Sequence, residues 1–167
     1  VSIIATIDLD HQAWLGNTRE AIGFEKAGIF RPGRPAICSD AHPPGTLLEQ
    51  ARASGAILYR SGHEFSFGRV ADAWDFRLGE TALSGLPLPA LFGTHQLANA
   101  AAALAGLHAL AEVLPVSLGA IHAGLADADC RAARGHQPVQ PAVPCPVNHA
   151  HPSTTDLLEQ LVIPEQR

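Results

Sequence analysis

Lys26, in the stretch FEKAGIFRPGRP, is the only lysine of this 167-residue chain; the ten other basic side chains are arginines. A lysine placed among apolar residues can lose its proton and act as a neutral, nucleophilic amine, which a guanidinium cannot do. Such an amine can react with carbon dioxide to form a carbamate, an anionic oxygen ligand suited to a hard divalent cation. The following AGIF puts apolar residues beside it. The competing reading is a helix-end cation, favoured by the negative end of the helix dipole. Asp10-His11 is a second candidate. It follows an apolar run that reads as a strand, and ligands of open α/β sheets bind beyond the carboxyl ends of their strands. A neutral imidazole there can hold a metal, or simply hydrogen-bond its own loop. Asn99, near the start of an alanine-rich helix, carries an amide able to read an adenine edge or to do no more than begin the helix. His136, His149 and His151 gather near a proline-rich stretch without the spacing of a zinc site.

Other chemistries are disfavoured. No G-x-x-x-x-G-K-[ST] phosphate cradle occurs, and no Ser/His/Asp arrangement points to a hydrolase. The net charge of −5 lacks the basic excess of a nucleic-acid-binding face. No apolar run reaches the length of a membrane span, and the first residues do not read as a signal peptide. Cys38, Cys130 and Cys145 form no CxxC and read as reduced thiols. A cytoplasmic monomer is expected, with small-molecule substrates and no nucleic-acid or membrane partner.

The elements that must position these residues follow from patterning. VSIIATIDL reads as a buried parallel strand. Asn17 with Glu20 has capping-box spacing, predicting a helix over 18–27 closed by a left-handed Gly28. AIC begins a strand, TLLEQARAS is a helix stopped by Gly55, and AILYR is another strand. This order is that of a parallel α/β sheet. From about residue 62, short alternating runs with glycine turns predict a small antiparallel patch. HQLANAAAALAGLHALAEVL is a helix closed by Pro115. VSLGAIHAGLADA is a shorter one with Ser117 as N-cap. Five prolines in residues 138–152 mark a linker, and a last helix is expected over TTDLLEQLV. The chain begins inside an apolar run, as though a strand had been entered without its upstream partner.

The block IDLDHQAWLGNTREAIGFEKAGIFRPGRPAIC resembles the central segment of bacterial dihydrofolate synthase/folylpolyglutamate synthase, a member of the Mur ligase superfamily. LPLPALFGTHQLANAAAALAGLHAL resembles a later helix of the same family, and together the two cover about residues 2–112. The resemblance implies part of a Mur-ligase-type P-loop ATPase domain in residues 1–137. Residues 138–167 would then be a linker and the start of a C-terminal ligase domain. It implies ATP-dependent amide formation, in which a carboxylate of dihydropteroate or folylpolyglutamate becomes an acyl phosphate and is attacked by the amine of L-glutamate. By resemblance, His11 falls on a histidine that helps hold Mg2+, Lys26 on a carbamylated lysine, and Asn99 on an asparagine that contacts ATP. Arg134, in CRAARGHQPV, is the nearest counterpart of the arginine of the family's L-P-G-R-F-Q. Asn148 stands near the aspartate of its D-V-A-H-N-P, with His151 near the histidine. The family's P-loop and glutamate metal ligand lie upstream of the matched block. A fragment inactive alone is therefore expected, and the alternative is a non-catalytic, truncated or decaying ligase-like domain.

Overall fold

The structure, a computed structural model, describes residues 1–9, 15–91, 93 and 95–126. Strands β1 (Ser2–Ile4), β2 (Pro35–Cys38) and β3 (Ile57–Arg60) form a parallel sheet in the order β1-β2-β3. Ile3 pairs with Ile37, and Ile37 with Tyr59. Helix α1 (Arg19–Ala27) connects β1 to β2, and α2 (Gly45–Ser54) connects β2 to β3. Both crossovers join adjacent parallel strands, so a common hand puts both helices on one face. There Ile22 and Ala27 of α1 and Leu47 and Ala51 of α2 bury against Ile4, Ala36 and Cys38.

The other face of β2 belongs to a different core. Ile37 points away from its neighbours Ala36 and Cys38, as alternation along a strand requires. It meets Ala101, Ala102, Leu104 and Ala105 of α3 (Gln96–Ala109) and the aromatic residues of a second sheet. That sheet is the antiparallel meander β4 (Phe65–Val70), β5 (Ala73–Leu78) and β6 (Thr81–Pro87). Phe65, Trp74 and Phe76 are fully enclosed, and the Trp74 indole N–H donates to the Pro87 carbonyl at 2.9 Å. Small residues let α3 sit close to the parallel sheet: a Cβ added to Gly106 would lie 3.2 Å from Ile3 Cδ1. Helix α4 (Leu118–Ala126) follows, and Ser117 Oγ accepts from Ala120 N–H as the expected N-cap.

Several local expectations need correction. The first strand covers three residues rather than the whole apolar run, because Ile7 bonds to a side chain instead of a ladder. The N-cap of α1 is Thr18, not Asn17; its hydroxyl accepts from Ala21 N–H. Gly28 closes α1 in a right-handed conformation, and the left-handed cap is found at Gly55 of α2 instead. Helix α3 ends at Ala109, well before Pro115. The expected boundary at 137/138, the last helix, Cys130, Cys145 and the histidines at 136, 149 and 151 lie outside the described residues.

Candidate functional site

At the carboxyl ends of β1 and β2 the structure builds one connected polar node. Asp40, two residues beyond β2, is 4% exposed. Its Oδ2 accepts from Ile7 N–H at 2.8 Å and from the Arg19 guanidinium at 2.8 Å, and its Oδ1 accepts from His42 N–H at 2.8 Å. Arg19 opens α1. Its Nε donates to the Ile7 carbonyl at 2.8 Å, and its terminal nitrogen also donates to the His42 carbonyl at 3.1 Å. Burial alone would raise the Asp40 pKa. The N–H groups of Ile7 and His42 and the arginine outweigh it and hold the carboxyl below the usual aspartate range.

Glu20, the next residue, reaches a different partner. Its carboxylate accepts from Gly45 and Thr46 N–H at 3.2 and 3.0 Å, and so occupies the start of α2. The Thr46 contacts, backbone first and then hydroxyl, lower its pKa. The capping-box reading of Glu20 is thus corrected: it caps the neighbouring helix rather than reaching back to its own. Two more groups complete the edge. Ser39 Oγ is buried with no hydrogen-bond partner among the described residues. The buried Cys38 thiol is pushed up to about 11 by burial, which rules it out as a nucleophile near neutral pH.

Lys26 lies at the opposite end of α1, seven residues and roughly 10 Å along the axis from Arg19. It is half-buried, and it makes no side-chain hydrogen bond or ion pair among the described residues. Of the apolar residues expected around the amine, Ala27 and Phe30 are buried but Ile29 is about half exposed. Asn99 is exposed in the first turn of α3, with its N–H bonded to the His95 carbonyl at 2.9 Å. His11, Arg134 and Asn148 lie outside the described residues, and among the described residues no three His, Cys, Asp or Glu side chains gather as a metal-holding group. No described helix is long and apolar enough to cross a membrane.

Sequence reasoning missed Arg19 and Asp40. One signal was present: an arginine in the first turn of a helix is disfavoured by the dipole unless a partner holds it. A buried acid just past a strand end supplies that partner.

No family model matches the chain. Among curated proteins, the dihydrofolate synthase/folylpolyglutamate synthase of Escherichia coli is 42% identical over 128 residues, which are 77% of this chain and 29% of that protein. Its Haemophilus influenzae counterpart is 38% identical over 110 residues, 66% of this chain and 24% of the relative. Among solved structures, Escherichia coli FolC in complex with DHPP and ADP superimposes with a TM-score of 0.69 at 42% identity, covering 75% of this chain and 29% of that one. A bifunctional folylpolyglutamate synthase/dihydrofolate synthase with Mn, AMPPNP and L-glutamate bound gives 0.66 at 42% identity, covering 77% and 30%. The chain spans less than a third of the length of these relatives.

Proposed function

We propose, from the premise that the chain belongs over its matched 128 residues to the dihydrofolate synthase/folylpolyglutamate synthase family, that it forms one wall of the nucleotide and metal site of an ATP-dependent amide ligase. The reaction joins L-glutamate to dihydropteroate or a folylpolyglutamate through an acyl phosphate. The observation that carries this reading is the 42% identity together with the same α/β backbone, a parallel sheet followed by a small antiparallel one. In this reading residues 1–137 belong to the central ATP-binding domain, and residues 138–167 are the linker and the start of the ligase domain. The protein acts as a cytoplasmic monomer on small molecules, without nucleic acid or membrane.

The residue types fit a divalent metal and a nucleotide. Lys26 is half-buried, and its amine makes no side-chain hydrogen bond or ion pair among the described residues. Carbamylation of this amine by carbon dioxide would form an N–C bond, release one proton and make a carbamate oxygen available as a hard ligand. His11 contributes an imidazole nitrogen, a second donor of suitable chemistry. Bound magnesium supplies positive charge for the transferring phosphoryl group, a mainly electrostatic contribution. Asn99, Arg134 and Asn148 are assigned to nucleotide contacts.

The single lysine makes the test clean. The chain is incubated with carbon-13 bicarbonate and Mg2+, and the carbonyl region is recorded for wild type and Lys26→Arg. A carbamate resonance lost in the variant is expected, with the α-amine contributing equally to both. Identical spectra overturn the role of Lys26. The second reading is a non-catalytic ligase-like domain. ADP formation that depends on glutamate and dihydropteroate distinguishes the two, since the second reading requires none.

A further inference from the structure

We propose that the outer edge of β3 is a strand-addition site for an extended peptide of another protein, one that carries an apolar residue and an acidic residue two positions later. Two sequence periods build the site. Leu48, Ala51 and Arg52 stand at i, i+3 and i+4 of α2 and share one side of that helix. Ala56, just before β3, and Leu58 and Arg60 within it are spaced by two and share one side of the strand. Together with Glu64 they line a cleft of about 190 Å3. Its floor is apolar, and Leu58 packs from there against the core beneath α1 and α2. Pockets for drug-sized ligands begin at roughly 300 Å3. The smaller cleft suits a single side chain.

The backbone supplies the rest. Ile57 and Ser61 donate their N–H groups to Arg34 and Cys38, so alternate residues of the strand face β2. Leu58 and Arg60 face the other edge, where no described strand pairs. Arg60 is closed there: its N–H donates to Glu64 Oε2 at 2.8 Å, and its carbonyl accepts from His63 N–H at 3.2 Å. At the other end, Ala56 N–H is used by the Ala51 carbonyl at 3.1 Å. The N–H and C=O of Leu58 face outward between these two closed positions. One residue of an antiparallel peptide can exchange both bonds with Leu58. Residues directly opposite share a face of the sheet, so its side chain enters the cleft. Charge selects the neighbour. The Arg60 guanidinium is already bound by the Glu64 carboxylate at 3.0 and 2.8 Å. Arg52 is exposed and makes no side-chain hydrogen bond or ion pair among the described residues. The peptide residue two positions on lies opposite Ala56, beside the end of α2 that carries Arg52. An acid there meets that guanidinium.

The test follows the Leu58 amide, by chemical shift and hydrogen exchange, in the whole 167-residue chain. The probe is a blocked peptide of threonines that carries one leucine and, two residues later, one glutamate. A shifted Leu58 amide with slowed exchange is expected. N-methylation of the probe at its leucine removes the donor to the Leu58 carbonyl and should weaken binding about tenfold. Arg52→Glu, at an exposed position, is expected to fold, to weaken the glutamate probe about threefold and to favour a lysine probe in its place. Equal binding of the methylated and unmethylated probes overturns strand addition, because a leucine side chain in the cleft does not by itself need that donor. No shift at Leu58, or a folded Arg52→Glu chain that still prefers the glutamate probe, overturns the proposal too. So does a Leu58 amide already protected in the free chain, since the edge is then taken by the chain itself or by a second copy.

Discussion

The two ends of α1 use their charges in opposite ways. Its first turn carries Arg19 and Glu20, consecutive residues that reach different partners: one the sheet edge, the other the start of α2. Its last turn carries Lys26, which makes no side-chain hydrogen bond or ion pair among the described residues. One end is consumed in holding the fold; the other is left available. The residue types match this division. Arginine offers a planar fork of donors that can serve several acceptors at once, whereas lysine offers an amine that can be deprotonated and modified. A chain that uses arginine everywhere else keeps its one lysine where chemistry, rather than attachment, is proposed.

The contrast is broken most severely at Asp40. Asp40→Ala strands the Ile7 and His42 N–H groups and removes a half-exposed ion pair. About 3 kcal/mol should be lost, read by urea unfolding at pH 7. The acid limb checks the same group. Its folded pKa lies below the ordinary 3.8, so the unfolded chain takes up the proton first as pH falls. The stabilisation is fully present above the ordinary value and disappears as pH drops through the lower folded one. Asp40→Asn should flatten that limb of a stability–pH curve.

Between the two ends, Gly23 tests how tightly α1 is seated. An added Cβ would meet Pro44 Cγ at 2.9 Å, and a proline ring cannot swing away. Gly23→Ala should therefore cost about 1 kcal/mol by thermal unfolding, despite alanine's better helix propensity. Glu20→Gln should give a smaller loss, one that shrinks in high salt because the carboxylate is exposed. Lys26→Arg should change stability by less than about 0.5 kcal/mol while removing the carbamate signal. A large destabilisation there would mean that this end, too, is committed to structure.

Much of the frame was legible because it rests on local patterning. The strands at residues 35–38 and 57–60, the helix stopped by Gly55 and the alanine-rich helix all announce themselves through periodicity and punctuation. The antiparallel meander was legible from its glycine-spaced alternation. What failed was pairing at a distance. Glu20 sits three residues after Asn17, a spacing that predicts a cap within one helix. The acceptor is instead used by Gly45 and Thr46, 25 and 26 residues away. VSIIATIDL looks like a full strand, yet Ile7 leaves the ladder because the Asp40 carboxylate, 33 residues on, takes its N–H.

By itself, then, the sequence determined the order of elements and the presence of a single lysine. Those are properties of residue type and of periods within one element. Tertiary structure alone decided which charges are spent and which remain available. That outcome depends on which side chain reaches a backbone group first once the strands and helices have packed. Arg19 was an ordinary surface cation in the sequence; the buried carboxylate beyond the next strand makes it the anchor of the helix that presents Lys26.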